Sequence, residues 1–263
     1  MCIDADRDRR IVFRKSFRDC SVFTAGRSLT SIIEACDFEH MEKRPLSVLD
    51  AFAGDGAVAD GIARWLCELK IDYSIAVAEI NPVHLKNASD EYVKFCRDIR
   101  TDKIDGEYDI ISVRYGLHDL AYDDKIKAIQ NLSGSLAMRG RIVISDIMPD
   151  KKSRPWLEMH HQRKEVLTNG PNREVCLSDA GDYLKILNEA GVSAEVKDSF
   201  YQEVFLREWV ETYGASEETI AELDRLALEA PRWIQERLMI FYHPKRGARI
   251  YFPVVTIAGI KNG

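Results

Sequence analysis

The sequence predicts an α/β protein: a doubly wound, seven-stranded, mostly parallel sheet carrying helical insertions. Three observations lead there. Apolar runs alternate with helical periods from Pro45 to Met148. A glycine-punctuated bend, "VLDAFAGDGAVA" over 48–59, joins the first strand to its helix. The chain closes on a β-rich segment, "ARIYFPVVTIAGIKN", reached through a long helical excursion. Alternation requires right-handed crossovers and parallel neighbours, whereas strand, excursion, strand at the end implies an antiparallel pair finishing the sheet.

"RPLSVLDAF" is the first strand, its apolar run bounded by Pro45 and Gly54. "GAVADGIARWLCELK" carries apolar residues at helical spacing, and Asp72 and Tyr73 open the second strand, "YSIAVAEI". Asn81 followed by Pro82 marks a helix start, because asparagine caps orphan N–H groups and proline suits the first turn. "YVKFCRDI" is a short strand and "EYDIISVRYG" a longer, better buried one. "DDKIKAIQNLSGSLAM" is an amphipathic helix, and "GRIVISDIM" the fifth strand. "DKKSRPWLEMHHQRKEVLTNG" then reads as an inserted helix. "SDAGDYLKILNEAG" returns to the core pattern, with Ser178 as N-cap and Gly191 past the end. "VSAEVKDSF" is the sixth strand, and Glu203 to Met239 reads as helical, capped at Ser216 and interrupted at Pro231. Pro253 confines the last strand to an edge, an end or a bulge. The chain thus divides into an N-terminal helical cap over 1–44, helical from about Ser28 to Phe38, and a main domain over 45–263. The main domain has inserted helices at about 151–170 and 201–242.

At 263 residues, 46% hydrophobic and 30% charged, the chain has the composition of a well-cored globular protein. No apolar stretch approaches the ~20 residues that span a bilayer, and "MCIDADRDRR" is not a secretory signal. The six cysteines are scattered without a C-x-x-C pair, which predicts reduced thiols in a cytoplasmic protein, mostly core filler, and no metal site. A net charge of −6 and the lack of a basic stripe argue against nucleic acid or membrane partners and favour a small substrate.

The bend at 48–59 has the G-x-G-x-x-[GA] spacing of a dinucleotide loop in Gly54, Gly56 and Ala59. Yet Asp50 precedes it and Asp55 lies between the glycines. Both carboxylates would repel a pyrophosphate in a poorly screened cleft and favour a ligand bearing an ammonium or sulfonium. The arrangement resembles the class I S-adenosylmethionine-dependent methyltransferases. Their acid-then-G-x-G motif is matched by Asp50, Gly54 and Gly56, with Phe52 where the family often has glycine. The acid that binds the ribose falls on Glu79, followed by Ile80 in "VAEINP". The acid and apolar residue that touch the adenine fall on Asp98 and Ile99. "YDIISVRYGLHDL" matches the family's line of contacts after strand four, through Arg114, Tyr115 and His118. The resemblance implies a Rossmann-like methyltransferase fold, S-adenosyl-L-methionine as cofactor, and Asp50, Phe52, Gly54, Asp55, Gly56, Glu79, Ile80, Asp98, Ile99, Arg114 and Tyr115 as its contacts.

Methyl transfer is an in-line displacement in which the protein positions the reactants and, where needed, removes a proton. His118 is the best-placed base; a packing role beside Asp119 is the alternative. His160 and His161 are further catalytic candidates on the inserted helix, where Trp156 and Met159 would line the substrate together with Tyr115. Adjacent histidines point about 100° apart on a helix, so at most one faces a given site. "SVFTAGRSL" near the N-terminus is expected to close over the cofactor, and the 201–242 excursion to pack on the sheet edge or form a homodimer surface, or else to shape specificity. The expected function is methylation of a small-molecule metabolite in a specialised biosynthesis. Methylation of RNA or protein, a dinucleotide oxidoreductase, and a non-catalytic cofactor-binding subunit are the alternatives.

Overall fold

The computed structural model describes residues 26–41, 44–168 and 175–263. Helix α1 (Gly26–Cys36) leads into β1 (Leu46–Ala51), α2 (Ala57–Leu69), β2 (Tyr73–Glu79), the single turn α3 (Pro82–Leu85), β3 (Val93–Cys96) and β4 (Tyr108–Arg114). Next come α4 (Tyr122–Gly134), β5 (Leu136–Ile147), α5 (Arg154–Leu167), α6 (Ala180–Glu189) and β6 (Val192–Phe205). Three short helices, α7 (Leu206–Glu211), α8 (Glu217–Leu228) and α9 (Arg232–Arg237), precede β7 (Phe241–His243) and β8 (Gly247–Lys261).

The sheet runs β3-β2-β1-β4-β5-β8-β6, with β7 paired to β8. The β1–β2, β1–β4, β2–β3 and β4–β5 pairs are parallel; β8 is antiparallel to β5, β6 and β7. The eighth strand beyond the seven expected is β7, three residues near the end of the excursion. Alternate residues divide the core by period two. Val48, Ile110 and Val143 pack with Ile32 of α1 and Val58, Ile62 and Leu66 of α2. Leu49, Ile111, Ile142 and Ile144 face Ile129, Leu132, Tyr183 and Leu187 of α4 and α6. Each fully buried valine, leucine or isoleucine contributes about 1.5–3 kcal/mol. A third cluster joins Leu157 of α5, Trp209 and Val210 of α7, Ile220 and Leu223 of α8, and Ile250 and Phe252 of β8.

Several expectations need correction. Asp179, not Ser178, caps α6: its carboxylate accepts from Asp182 N at 3.0 Å while Asp182 accepts from Asp179 N at 3.0 Å. A carboxylate accepts more strongly than a hydroxyl, and the reciprocal pair satisfies two orphan donors. The sixth strand runs on to Phe205 rather than yielding to helix at Glu203, because thirteen residues of β8 pair with it. Pro253 lies in an interior strand. Its carbonyl accepts from Met148 N at 3.0 Å on the β5 side, so the missing N–H also faces that side, just past the last β5 pair, Ile147 with Val254. The one bond that proline forgoes is the return bond to Met148, at the end of the β5 ladder. Of the described cysteines only Cys36 is buried; Cys67 is exposed, and Cys96 and Cys176 are half-buried. Most of the segment 1–44 lies outside the described residues, including 21–25 of the stretch expected over the cofactor. Its described helix α1 is part of the core, with Ile32 and Cys36 fully buried.

Candidate active site

The carboxyl ends of β1, β2, β3 and β4 open onto a cavity of about 190 Å³. Its wall includes Phe52, Gly54, Asp55, Glu79, Ile80, Asp98, Ile99, Arg114 and Tyr115, the cofactor candidates apart from Asp50 and Gly56. The bend after β1 is wound through left-handed backbone: φ is +57° at Phe52, +56° at Gly54 and +82° at Gly56. Such angles are cheap for glycine and costly for phenylalanine, so Phe52 is held by its surroundings. Any side-chain carbon on Gly116 would overlap the Phe52 ring. Across the cavity Tyr115 also sits at positive φ, +51°.

Glu79 ties the site together. One carboxylate oxygen accepts from Gly54 N and the other from Asn81 N, each at 3.0 Å. A carboxylate offers about four lone-pair positions, so two stay available at the cavity wall. Asp98 is clamped by Arg100, whose Nε and Nη2 lie 2.9 and 2.6 Å away, while Nη1 reaches Asp124 at 3.1 Å. The Arg100 guanidinium holds the Asp98 carboxyl below the usual range. Burial lowers the proton affinity of Arg114 and raises that of Tyr115, with the guanidinium 5.1 Å from the phenol ring.

Two of the cofactor candidates, Asp50 and Gly56, are not on the cavity wall. Asp50 is 1% exposed. It accepts from Ala59 N at 3.2 Å and Ser112 Oγ at 2.9 Å. These bonds brace the start of α2, and burial pushes the carboxyl up to about 7. Gly56 is the residue before α2, and a Cβ there would meet Ala88 at 3.1 Å; its role is the turn. Asp55 is the acid of this bend that lines the cavity.

Beyond Tyr115 stands a second cluster. His118 Nδ1 lies 2.6 Å from Asp146 Oδ1 at the end of β5. Asp146 also accepts from Leu117 N and His118 N at 3.0 Å, and from Ile147 N at 2.8 Å. Nε2 of His118 is 3.6 Å from Asp119, which lines the cavity. Burial lowers the proton affinity of His118, but Asp146 and Asp119 outweigh it and the net shift is upward.

The inserted helix sorts its candidates by face. His161 points inward, with ring centroids 6.2 Å from His118, 5.1 Å from Trp209 and 5.3 Å from Phe252. His160 turns away and stacks on Trp156 at 5.1 Å, its proton affinity pushed down to about 4 by burial. It does not reach His118. Trp156 is therefore engaged with its own helix, and Met159 is 45% exposed; neither lines the cavity. The helical phase that buries Leu157, His161 and Lys164 puts Met159 outside. The strongest omission is Asp146, readable from sequence only as a strand-end turn residue. The signal was there: Asp50, Glu79 and Asp146 all stand at the carboxyl ends of strands. Among the described residues no group of three or more His, Cys, Asp or Glu is arranged to hold a metal, and no helix is long and apolar enough to cross a membrane.

The fold is shared with known proteins. The YcgJ protein of Bacillus subtilis superposes with a TM-score of 0.74 at 15% identity, over 90% of this chain and 99% of that one. Human N-acetylserotonin methyltransferase, in complex with S-adenosylmethionine, superposes at 0.57 and 15% identity, over 99% and 61%. Demethylmenaquinone methyltransferase of Chlamydia pneumoniae is 30% identical over 121 residues, 43% of this chain and 50% of that protein. The chain thus spans about half the length of that curated relative. A family model described as an O-methyltransferase domain matches residues 2–193, well over half of the chain. The chain belongs to the O-methyltransferase domain family.

Proposed function

We propose that the enzyme methylates an oxygen of a small metabolite, with His118 as general base and Asp146 as the group that steers it. The observation that carries this reading is the 2.6 Å contact between His118 Nδ1 and Asp146 Oδ1. With Nδ1–H directed at a carboxylate, Nε2 presents its lone pair on the opposite side of the ring, toward Asp119. Asp146 is itself fixed by three backbone N–H groups, so the imidazole is aimed by the fold.

The cavity suits S-adenosylmethionine in its donor set. Glu79 would hold the ribose hydroxyls with its remaining lone pairs, Asp98 and Ile99 the adenine, and Asp55 and Arg114 the charged ends of the amino-acid tail. When bound, the cofactor supplies an electrophilic methyl group on a sulfonium. His118 Nε2 would take the acceptor's hydroxyl proton as the oxygen lone pair displaced the sulfur, which would keep the electrons of the broken methyl–sulfur bond and leave as the thioether of S-adenosylhomocysteine; Asp146 and Asp119 would flank the resulting imidazolium. Tyr115 offers an aromatic face to positive charge.

Small acceptors fit the surroundings better than RNA or protein. The net charge is −6, and the cavity wall combines Asp55, Glu79, Asp98 and Asp119 with three arginines. The named relatives act on demethylmenaquinone and N-acetylserotonin, both small molecules. The test is incubation with methyl-labelled S-adenosylmethionine and fractionated cell extract. Label is expected in the low-molecular-mass fraction with wild type and not with H118Q. Label in protein or RNA would overturn the reading.

A further inference from the structure

His118 is held from more than one side. Asp146 fixes where its Nδ1 lies, at 2.6 Å. A hydrogen bond tolerates about 30° of bending, and the second torsion of histidine is a broad one, so this contact leaves the tilt of the ring open. For a general base the tilt matters, because it decides whether the Nε2 lone pair meets the acceptor's proton. Two rings stand nearly perpendicular to the imidazole. Tyr115, close by in the chain, is centred 6.5 Å away at 74°, and His161 of α5 is centred 6.2 Å away at 79°. Both are edge-to-face contacts, a favoured arrangement of aromatic pairs.

His161 is itself wedged in place. Its ring centroid lies 5.1 Å from that of Trp209 on α7 and 5.3 Å from that of Phe252 on β8. Those two pack on each other at 5.5 Å and 70°, which closes a triangle of buried rings. Nε2 of His161 is buried with no hydrogen-bond partner among the described residues, so ring contacts set its orientation. Trp209 belongs to the excursion between β6 and β8, and Phe252 to the strand that follows it. Resting on the reading of His118 as base, we propose that His161 is a positioning residue whose ring sets the tilt of the His118 imidazole, and that Trp209 and Phe252 carry the packing of the excursion to the base through it. Tyr115 and Asp119 are neighbours that β4 and its loop supply locally; His161 is the contact that the later part of the chain adds. A rock of the ring toward the space that His161 fills would turn Nε2 off the acceptor while Nδ1 kept its bond to Asp146.

The experiment joins two readouts. The first is NMR relaxation of the His118 ring C–H groups in the whole protein, which needs no acceptor, with H118Q identifying the signals. The second is the initial rate of label transfer from methyl-labelled S-adenosylmethionine to the low-molecular-mass extract fraction. H161L keeps an apolar volume and removes the ring. It is expected to loosen the His118 ring and slow transfer about 10- to 100-fold, with affinity for S-adenosylhomocysteine unchanged. H161F is expected to restore most of both, and W209L to reproduce both losses in part. A His118 ring as rigid in H161L as in wild type overturns the proposal. So does a rate restored by H161N and not by H161F, which would give the role to the nitrogen. If H161L does not fold, judged by binding of S-adenosylhomocysteine, an unmoved ring in W209L overturns it instead. Failure of the base reading shows separately, as activity that survives in H118Q.

Discussion

The bends after β1 and β2 and the cluster behind Tyr115 are assembled in different ways. In the first region carboxylates act on backbone close by in the fold: Glu79 on Gly54 and Asn81, Asp50 on Ala59. The second region gathers side chains from far along the chain: His118, Asp146, His161, Trp209 and Phe252. One is a scaffold of backbone geometry, the other a convergence of side chains on packed helices. Under the proposed function the contrast would match a division of labour, a shared cofactor asking for a fixed backbone and an individual acceptor for replaceable side chains.

If the two regions are separable, variants should dissociate rate from cofactor affinity. The largest effect is expected at the His118–Asp146 pair. H118Q and D146N should lower kcat by about 10²- to 10⁴-fold, the range of general base catalysis, with S-adenosylhomocysteine affinity unchanged by calorimetry. A fall in affinity of similar size would merge the two regions. Next is E79A, which removes the anchor for Gly54 and Asn81 together with the proposed ribose acceptor. Affinity for S-adenosylhomocysteine should fall about a hundredfold, the worth of one or two charge-assisted hydrogen bonds. Unchanged affinity would take Glu79 out of the site.

A smaller effect is expected from Asp50, through pH. Its carboxyl is raised to about 7 in the fold, against about 3.9 when unfolded, so the folded state binds the proton more tightly. The stability this gives is fully present below about pH 4 and is lost as pH rises through about 7. Wild type should therefore unfold at lower temperature at pH 8 than at pH 6, and D50N should lessen that difference. An equal slope in D50N would show that another group is responsible. Least affected is M159A. Its side chain faces solvent, so stability should change by no more than about 0.5 kcal/mol and kcat not at all. A loss of rate would return Met159 to the acceptor site.

Much of the geometry of the bends after β1 and β2 was legible because its signals are local. Asp50, Gly54, Gly56 and Glu79 stand at strand ends or in turns whose residue types follow from backbone sterics and capping. Even so, the direction of Asp50 escaped: its register places it opposite Ser112, which only pairing of β1 with β4 reveals. The helix at Asn81 was marked by its first two residues, while its length of a single turn was not, because nothing apolar continues it.

The cluster behind Tyr115 was legible as an inserted helix and no further. Which of His160 and His161 faces His118 depends on the rotation of α5, set by burial of Leu157 against the helices after β6. Asp146 meets His118 only because β4 and β5 are neighbours, and Trp209 and Phe252 reach His161 only because β8 inserts between β5 and β6. By itself the sequence determined the alternation of strands and helices, the glycine bend and the acids at strand ends, since each depends on backbone preferences within a few residues. The tertiary structure alone decided which side chains meet across the sheet and which charges lose their water, because proximity and desolvation belong to the packed chain and to no single stretch of it.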